Sequence, residues 1–136
     1  MRRSTDAIRA LLEREREHGI PSEKIVLAGF SQGGAIALHL GLRYAQPLAG
    51  IIGLSTYLPF AEALADERSQ ANLQTPIMIG HGSMDPVVPI ALGQLTLDRL
   101  NALGYPVQWY SYPMPHAVCP QQIQDIAGWL RQRFPQ

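Results

Sequence analysis

Four short apolar runs, each separated from the next by a segment with helical periodicity, limit most strongly what this chain can fold into. The runs are too short for buried helices, and glycine and proline punctuate the chain between them. They cover residues 25–30, 50–54, 77–80 and 107–112. Strands that alternate with helices form a parallel sheet with right-handed crossovers. The pattern therefore predicts an α/β fold, with a mainly parallel sheet of about four strands between flanking helices.

The segments around the runs predict five helices. Ser4 or Thr5 is expected to cap the first helix, and Gly19 to end it. The others are predicted over residues 35–44, 61–71 and 89–103 and from Pro120 onward. Helical spacing predicts that these side chains are buried: Ile8, Leu11, Leu12, Leu92, Leu95, Leu100, Ile123, Ile126, Ala127, Leu130 and Phe134.

Length and composition exclude several classes of protein. At 136 residues the chain has room for one domain, and 46% hydrophobic against 16% charged residues is typical of a packed core. Eleven basic and eleven acidic residues cancel, so no basic excess indicates a nucleic-acid partner. The apolar runs are too short to span a membrane.

Nothing in the sequence indicates export. The first residues lack the apolar segment of a secretory signal, because Asp6 and Glu13 interrupt it. Cys119 is the single cysteine, so no internal disulfide can form. We therefore expect a cytoplasmic protein.

Gly29-Phe30-Ser31-Gln32-Gly33 has the pattern Gly-x-Ser-x-Gly at a junction between a predicted strand and a predicted helix. In this context the serine lies on a strained turn that exposes Oγ, and glycine avoids collisions two residues to either side. The turn also points the first N–H groups of the helix at the space beside Oγ, and the N–H of Gln32 is the first of these donors. Such donors stabilise an oxyanion. Ser31 is therefore the candidate nucleophile.

A serine nucleophile needs a base, and the base needs an orienting carboxylate. In this type of fold the partners follow in the order serine, acid, histidine, on loops after later strands. Asp85 follows the third run and His116 the fourth. Order and topology together predict a Ser31-Asp85-His116 triad.

Competing residues fit less well. Asp66, Asp98 and Asp125 lie in predicted helices, whereas His18, His39 and Cys119 suit helix-end or packing roles. His81 precedes Asp85 on the same strand end and is expected near the site, but not as the base. The histidines are scattered, so we expect no metal, and the proposed chemistry needs no cofactor.

The segments 25–35, 54–59, 81–89 and 112–130 resemble the phospholipase/carboxylesterase family, which includes the acyl-protein thioesterases. The resemblance extends over nearly the whole chain. It implies an α/β-hydrolase fold with Ser31 as nucleophile, Asp85 as acid, His116 as base and the Gln32 N–H as one oxyanion donor. It also implies that Leu58 and Val88 lie near the acyl pocket.

Members of that family have an N-terminal portion with several strands and a His-Gly-Leu-Gly-type loop, which supplies a second oxyanion donor. Residues 1–136 begin instead in the helix before the nucleophile strand. We therefore expect a single, N-terminally truncated α/β-hydrolase domain. Its 25–30 strand, central in the family, would have one unpaired edge, and the chain would self-associate there and be at best a weak esterase.

The expected reaction is hydrolysis of a small-molecule carboxylic ester or thioester, with a short or medium acyl chain, through an acyl-enzyme. Lysophospholipids and acylated proteins are included in this substrate class. One alternative is another small α/β-hydrolase activity, on lactones or peptides, because a fold does not determine a substrate. The alternative from a different class is an inactive or weakly active remnant that serves as an interaction or assembly module.

Overall fold

A computed structural model describes residues 2–134 of the chain. Its sheet has four parallel strands in the order β1-β2-β3-β4. The strands are β1 Val26–Phe30, β2 Gly50–Leu54, β3 Ile77–Gly82 and β4 Val107–Tyr112. Because all three pairings are parallel, the carboxyl ends of the four strands lie at the same edge of the sheet. The predicted mainly parallel sheet of about four strands is confirmed.

Helices connect the strands and pack on both faces of the sheet. They are α1 Arg2–Glu17, α2 Gln32–Arg43, α3 Leu64–Glu67, α4 Ile90–Ala102 and α5 Pro120–Arg133. Three short 3₁₀ turns cover Ser22–Lys24, Ala61–Ala63 and Gln70–Asn72. The predicted helix over residues 61–71 is therefore wrong in its continuity, since the segment breaks into two 3₁₀ turns and the single turn of α3.

Two apolar clusters hold the layers together. The larger joins α1, α2 and α4 to one face of the sheet, through side chains such as Leu12, Leu38, Ile51 and Leu100. The smaller lies on the opposite face, where Trp129 of α5 packs with Ile52, Leu54 and Met78. The sheet is therefore the middle layer of three, with helices above and below it.

The buried faces of α4 and α5 match the predicted ones only in part: Leu100 is buried, and Ile126 and Leu130 are partly buried against the smaller cluster. In α4 the buried residues are Gly93, Thr96 and Leu100, whereas Leu92 and Leu95 are exposed. In α5 the buried residues are Gln122 and Trp129, whereas Ile123 and Phe134 are exposed. Apolar periodicity alone does not indicate that small, polar and aromatic side chains occupy the rest of these buried faces.

Two further expectations are wrong at the N-terminal side. Helix α1 begins at Arg2, so Ser4 and Thr5 lie inside it, and Leu11 is exposed. Strand β1 is only partly buried, and Ala28 and Phe30 are exposed. The physical reason is that β1 is an edge strand with β2 as its one neighbour in the described sheet.

Candidate active site

Ser31 lies on a strained turn between β1 and α2. Its φ of 57° and ψ of −120° are unusual for a residue with a side chain, and it is the N-cap of α2. Two hydrogen bonds hold this conformation: the Ser31 N–H donates to the Leu54 carbonyl at 2.8 Å, and the Thr56 hydroxyl donates to the Ser31 carbonyl at 2.6 Å. The predicted strand-to-helix turn is present, and neighbouring β2 and its following loop stabilise it.

The glycines around Ser31 are not equivalent. A Cβ on Gly29 would lie 2.2 Å from the Gly33 carbonyl carbon, and a Cβ on Gly34 would lie 2.8 Å from the Gly29 oxygen and from the Thr56 Cβ. A Cβ on Gly33 would meet nothing within 4 Å. The crowding expected at Gly33 is therefore wrong, because it is the backbone of Gly33 that approaches Gly29.

The three predicted triad residues meet at the carboxyl edge of the sheet. His116 Nε2 lies 3.0 Å from Ser31 Oγ, and His116 Nδ1 lies 2.6 Å from Asp85 Oδ2. A carboxylate only accepts, so Nδ1 carries the proton and Nε2 is free to accept the Ser31 hydroxyl. Phe30 packs on the His116 ring, with ring centroids 4.7 Å apart. This continuous chain of hydrogen bonds is the arrangement that activates a serine.

Asp85 is held by its own loop. Its Oδ1 accepts the N–H groups of Val87 and Val88, each at 2.8 Å, and its Oδ2 is left for His116. Burial alone would raise the pKa of Asp85, but the hydrogen bonds from His116, Val88 and Val87 outweigh it and hold this pKa below its ordinary value. Asp85 is therefore held in its ionised form and only accepts hydrogen bonds, with Oδ2 facing His116 Nδ1.

The family resemblance implied roles for three residues outside the triad: Gln32, Leu58 and Val88. Gln32 is the first residue of α2, where backbone N–H groups lack intrahelical partners. Leu58 and Val88 are 9% and 6% exposed, so both belong to the interior. The oxyanion role of Gln32 and the acyl-pocket role of Leu58 and Val88 stay predictions.

Of the competing residues, Asp125 and His39 contact aromatic side chains, and Asp66 and Asp98 are exposed. Asp125 accepts a 2.7 Å hydrogen bond from the Tyr112 hydroxyl, whereas Asp66 and Asp98 are exposed on α3 and α4. His39 packs edge-on against Phe60 at 5.5 Å.

Cys119 is the half-buried N-cap of α5. Across residues 2–134 no three His, Cys, Asp or Glu side chains are grouped so that they could hold a metal ion. In the same range no helix is both long and apolar enough to cross a bilayer.

Sequence reasoning missed two supports of the site. Thr56 stabilises the serine turn through a contact that sequence separation concealed. His81 was expected near the site, but its role was not: it is completely buried, and its Nε2 lies 2.7 Å from the Val88 carbonyl oxygen. Its position directly before the acid loop was the available signal.

Comparison with known proteins gives a consistent result. The family model for phospholipase/carboxylesterase matches residues 1–133. Acyl-protein thioesterase 1 of Gibberella zeae is 43% identical over 92% of this chain and 54% of its own length. The protein of that name in Mycosarcoma maydis is 41% identical over 98% of this chain and 61% of its own length.

Solved structures show the same fold. Arabidopsis thaliana SOBER1 superposes with a TM-score of 0.91 at 27% identity, over 96% of this chain and 63% of that one. Zea mays acyl-protein thioesterase 2 superposes with a TM-score of 0.81 at 29% identity, over 95% of this chain and 64% of that one. The fold is that of the α/β-hydrolases. The chain spans between one half and two thirds of the length of these relatives.

Proposed function

This chain belongs to the phospholipase/carboxylesterase family, and we propose that it is a serine hydrolase that cleaves carboxylic esters or thioesters. The observation that carries the proposal is the hydrogen-bond chain from Ser31 Oγ through His116 to Asp85, with links of 3.0 and 2.6 Å. The backbone conformation of Ser31, with φ of 57° and ψ of −120°, supports it, because strained residues cluster at active sites.

The proposed reaction has two steps. Ser31 Oγ attacks the substrate carbonyl carbon while His116 Nε2 accepts the hydroxyl proton, and the N–H of Gln32 faces the developing oxyanion. His116 then gives that proton to the leaving alcohol or thiol, which leaves an acyl-serine. Water attacks the acyl carbonyl and transfers a proton to His116, and the acid departs as Ser31 Oγ regains that proton. Asp85 keeps its charge throughout and stabilises the imidazolium.

The substrate class that we propose is an acyl ester or thioester with an apolar acyl group. Exposed apolar side chains lie within two residues of each member of the triad: Phe30 directly before Ser31, Met84 directly before Asp85 and Val118 two residues after His116. Their apolar surface suits a hydrocarbon chain better than a charged group. The names of the two fungal relatives support an acylated protein as one such substrate.

Covalent labelling with a fluorophosphonate tests the proposed activity, since this probe requires an activated serine and no particular substrate. We expect labelling of the wild-type chain that disappears in Ser31→Ala. Hydrolysis of p-nitrophenyl esters and of acyl thioesters then compares leaving groups and acyl lengths. Absence of labelling in the folded chain would overturn the proposal and favour the interaction-module alternative.

We also propose that this chain self-associates through β1. In the described sheet the outer edge of β1 has no strand beside it, and a cleft of about 340 Å³ lined by Ile8, Leu27, Ala28 and Ile36 lies next to it. A second copy related by a two-fold axis would satisfy the backbone groups of both β1 edges and cover both clefts.

A cytoplasmic location is part of the proposal. Its basis is the free thiol of the single cysteine, Cys119, since disulfides characterise oxidising compartments. Fluorescence microscopy of the tagged chain in its host tests this location, and accumulation outside the cytoplasm would contradict it.

A further inference from the structure

His81 is a completely buried titratable side chain beside the candidate site, and the two-step reaction does not use it. Its exposed fraction is 0%. Nε2 lies 2.7 Å from the Val88 carbonyl oxygen and 3.8 Å from Asp85 Oδ2. Because a carbonyl oxygen only accepts, Nε2 carries the proton and donates it to Val88.

Neighbouring elements pack closely on the His81 ring. A Cβ on Gly93 of α4 would lie 2.5 Å from His81 Nδ1, and the ring of Trp109 in β4 is stacked with the His81 ring at a centroid distance of 6.3 Å. Nδ1 has no hydrogen-bond partner. Asp85 is a charged group that faces the ring, with its Oδ2 3.8 Å from Nε2. Of the two ring nitrogens of His81, Nε2 therefore makes the hydrogen bond and Nδ1 makes none.

Val88 links His81 to the carboxylate. Its carbonyl accepts from His81 Nε2, and its N–H donates to Asp85 Oδ1 at 2.8 Å. Both polar groups of this one residue are thus engaged, one on each side of the acid loop. Since Oδ1 is held by Val87 and Val88, Oδ2 is directed to His116.

We propose that His81 is a positioning residue for the hydrolase reaction: its Nε2–H clamps the Val88 carbonyl, and the clamped Val88 N–H orients Asp85 towards His116. This inference rests on the proposed function, because orientation of Asp85 matters only if His116 is the base. Loss of the clamp leaves Asp85 in place but lets its carboxylate turn away from His116 Nδ1. Misorientation of a supporting group of this kind lowers the rate by about 10- to 100-fold.

Two amide substitutions separate the role of the donor from that of packing. In His81→Gln the side-chain nitrogen reaches the position of Nε2, whereas in His81→Asn it reaches only that of Nδ1, beside Gly93. Both are polar and uncharged. We expect kcat for a p-nitrophenyl ester to fall about 10- to 100-fold in His81→Asn with little change in KM, and His81→Gln to restore most of the loss.

Gly93→Ala is a second variant that leaves both hydrogen-bond partners intact but pushes on the ring. Its matched control is Gly128→Ala in α5, where an added Cβ would meet nothing within 4 Å. We expect Gly93→Ala to lower kcat and Gly128→Ala to leave it unchanged. In an Asp85→Asn background neither His81→Asn nor Gly93→Ala should lower residual turnover further, because both act through Asp85.

Proton NMR separates failure of this inference from failure of the proposed function. The far-downfield signal of the His116 Nδ1–H, which reports its bond to Asp85, should persist in His81→Gln and weaken in His81→Asn, whether or not the chain turns over substrate. Equal signals and equal turnover in the two folded variants would overturn the positioning role. Absent serine labelling with the NMR difference intact would overturn the hydrolase assignment alone.

Discussion

Gly29 lies against the backbone of Gly33, so closely that a Cβ on Gly29 would be 2.2 Å from the Gly33 carbonyl carbon. The contact joins the end of β1 to the first turn of α2, so Ser31 lies between the two contacting glycines. We expect Gly29→Ala to displace the serine turn, to destabilise the fold by about 1–3 kcal/mol and to abolish fluorophosphonate labelling.

Gly33→Ala is the matched control for that substitution, because its Cβ would enter open space. We expect it to change stability by no more than about 1 kcal/mol and to reduce the labelling rate far less. Urea denaturation and labelling rates measure both effects. Equal losses in the two variants would mean that the serine turn is not held by this contact.

The triad residues should act as a unit. Because His116 Nε2 is the acceptor for the Ser31 hydroxyl, Ser31→Ala and His116→Ala should each remove esterase turnover, and the double variant should be no worse than either single one. Turnover of a p-nitrophenyl ester measures this. Labelling that persists in Ser31→Ala would identify another nucleophile, with Cys119 the first residue to examine.

Asp85→Asn should retain the fold and lower turnover by up to about 10⁴-fold, because an amide no longer selects the tautomer in which His116 Nδ1 is protonated. Asp125→Asn is the matched control, since its carboxylate is engaged with Tyr112 and should matter little to turnover. A near-normal rate in Asp85→Asn would refute the assignment of the acid.

Asp85 should also make stability depend on pH. Its pKa is lower in the folded chain than its ordinary value of 3.8, so the folded state favours the ionised carboxylate. This contribution is complete above the unfolded-state pKa and is lost as pH falls through the folded one. The difference in unfolding free energy between wild type and Asp85→Asn should therefore shrink below about pH 4. Urea titrations from pH 7 to pH 3 test this, and a constant difference would contradict it.

The sequence was sufficient for the elements that depend on local chemistry. Strands β2 and β4 match the predicted bounds, because their apolar runs end at turn residues. Gly19, the predicted end of the first helix, has a φ of 92°, as glycine permits. The order of Ser31, Asp85 and His116 predicted one site because parallel strands end at one edge.

The predictions that were wrong concern features that depend on tertiary contacts. The inner face of α4 carries Gly93 because the His81 ring occupies the space beside it. It carries Thr96 because the Thr96 hydroxyl accepts a hydrogen bond from the Leu58 N–H at 3.0 Å. Hydrophobicity favoured Leu92 and Leu95 instead. The role of His81 was hidden for the same reason, since its bond to Val88 depends on how the loop closes.

The last prediction concerns the open edge of β1. Ala28 is exposed there, and it lines the apolar cleft between α1 and α2. A lysine at this position would place a charge at the proposed contact between two copies, and charged side chains on edge strands oppose pairing. We expect the wild-type chain to sediment as a concentration-dependent dimer and Ala28→Lys to shift towards monomer.

Ala102→Lys is the matched control, because this exposed alanine lies at the far end of α4. It should sediment like the wild type. A wild-type chain that is monomeric at all concentrations, or an equal shift in both lysine variants, would refute pairing through β1. The first result would mean that the backbone groups of the β1 edge are satisfied by water alone, and the second that net charge rather than the edge controls association.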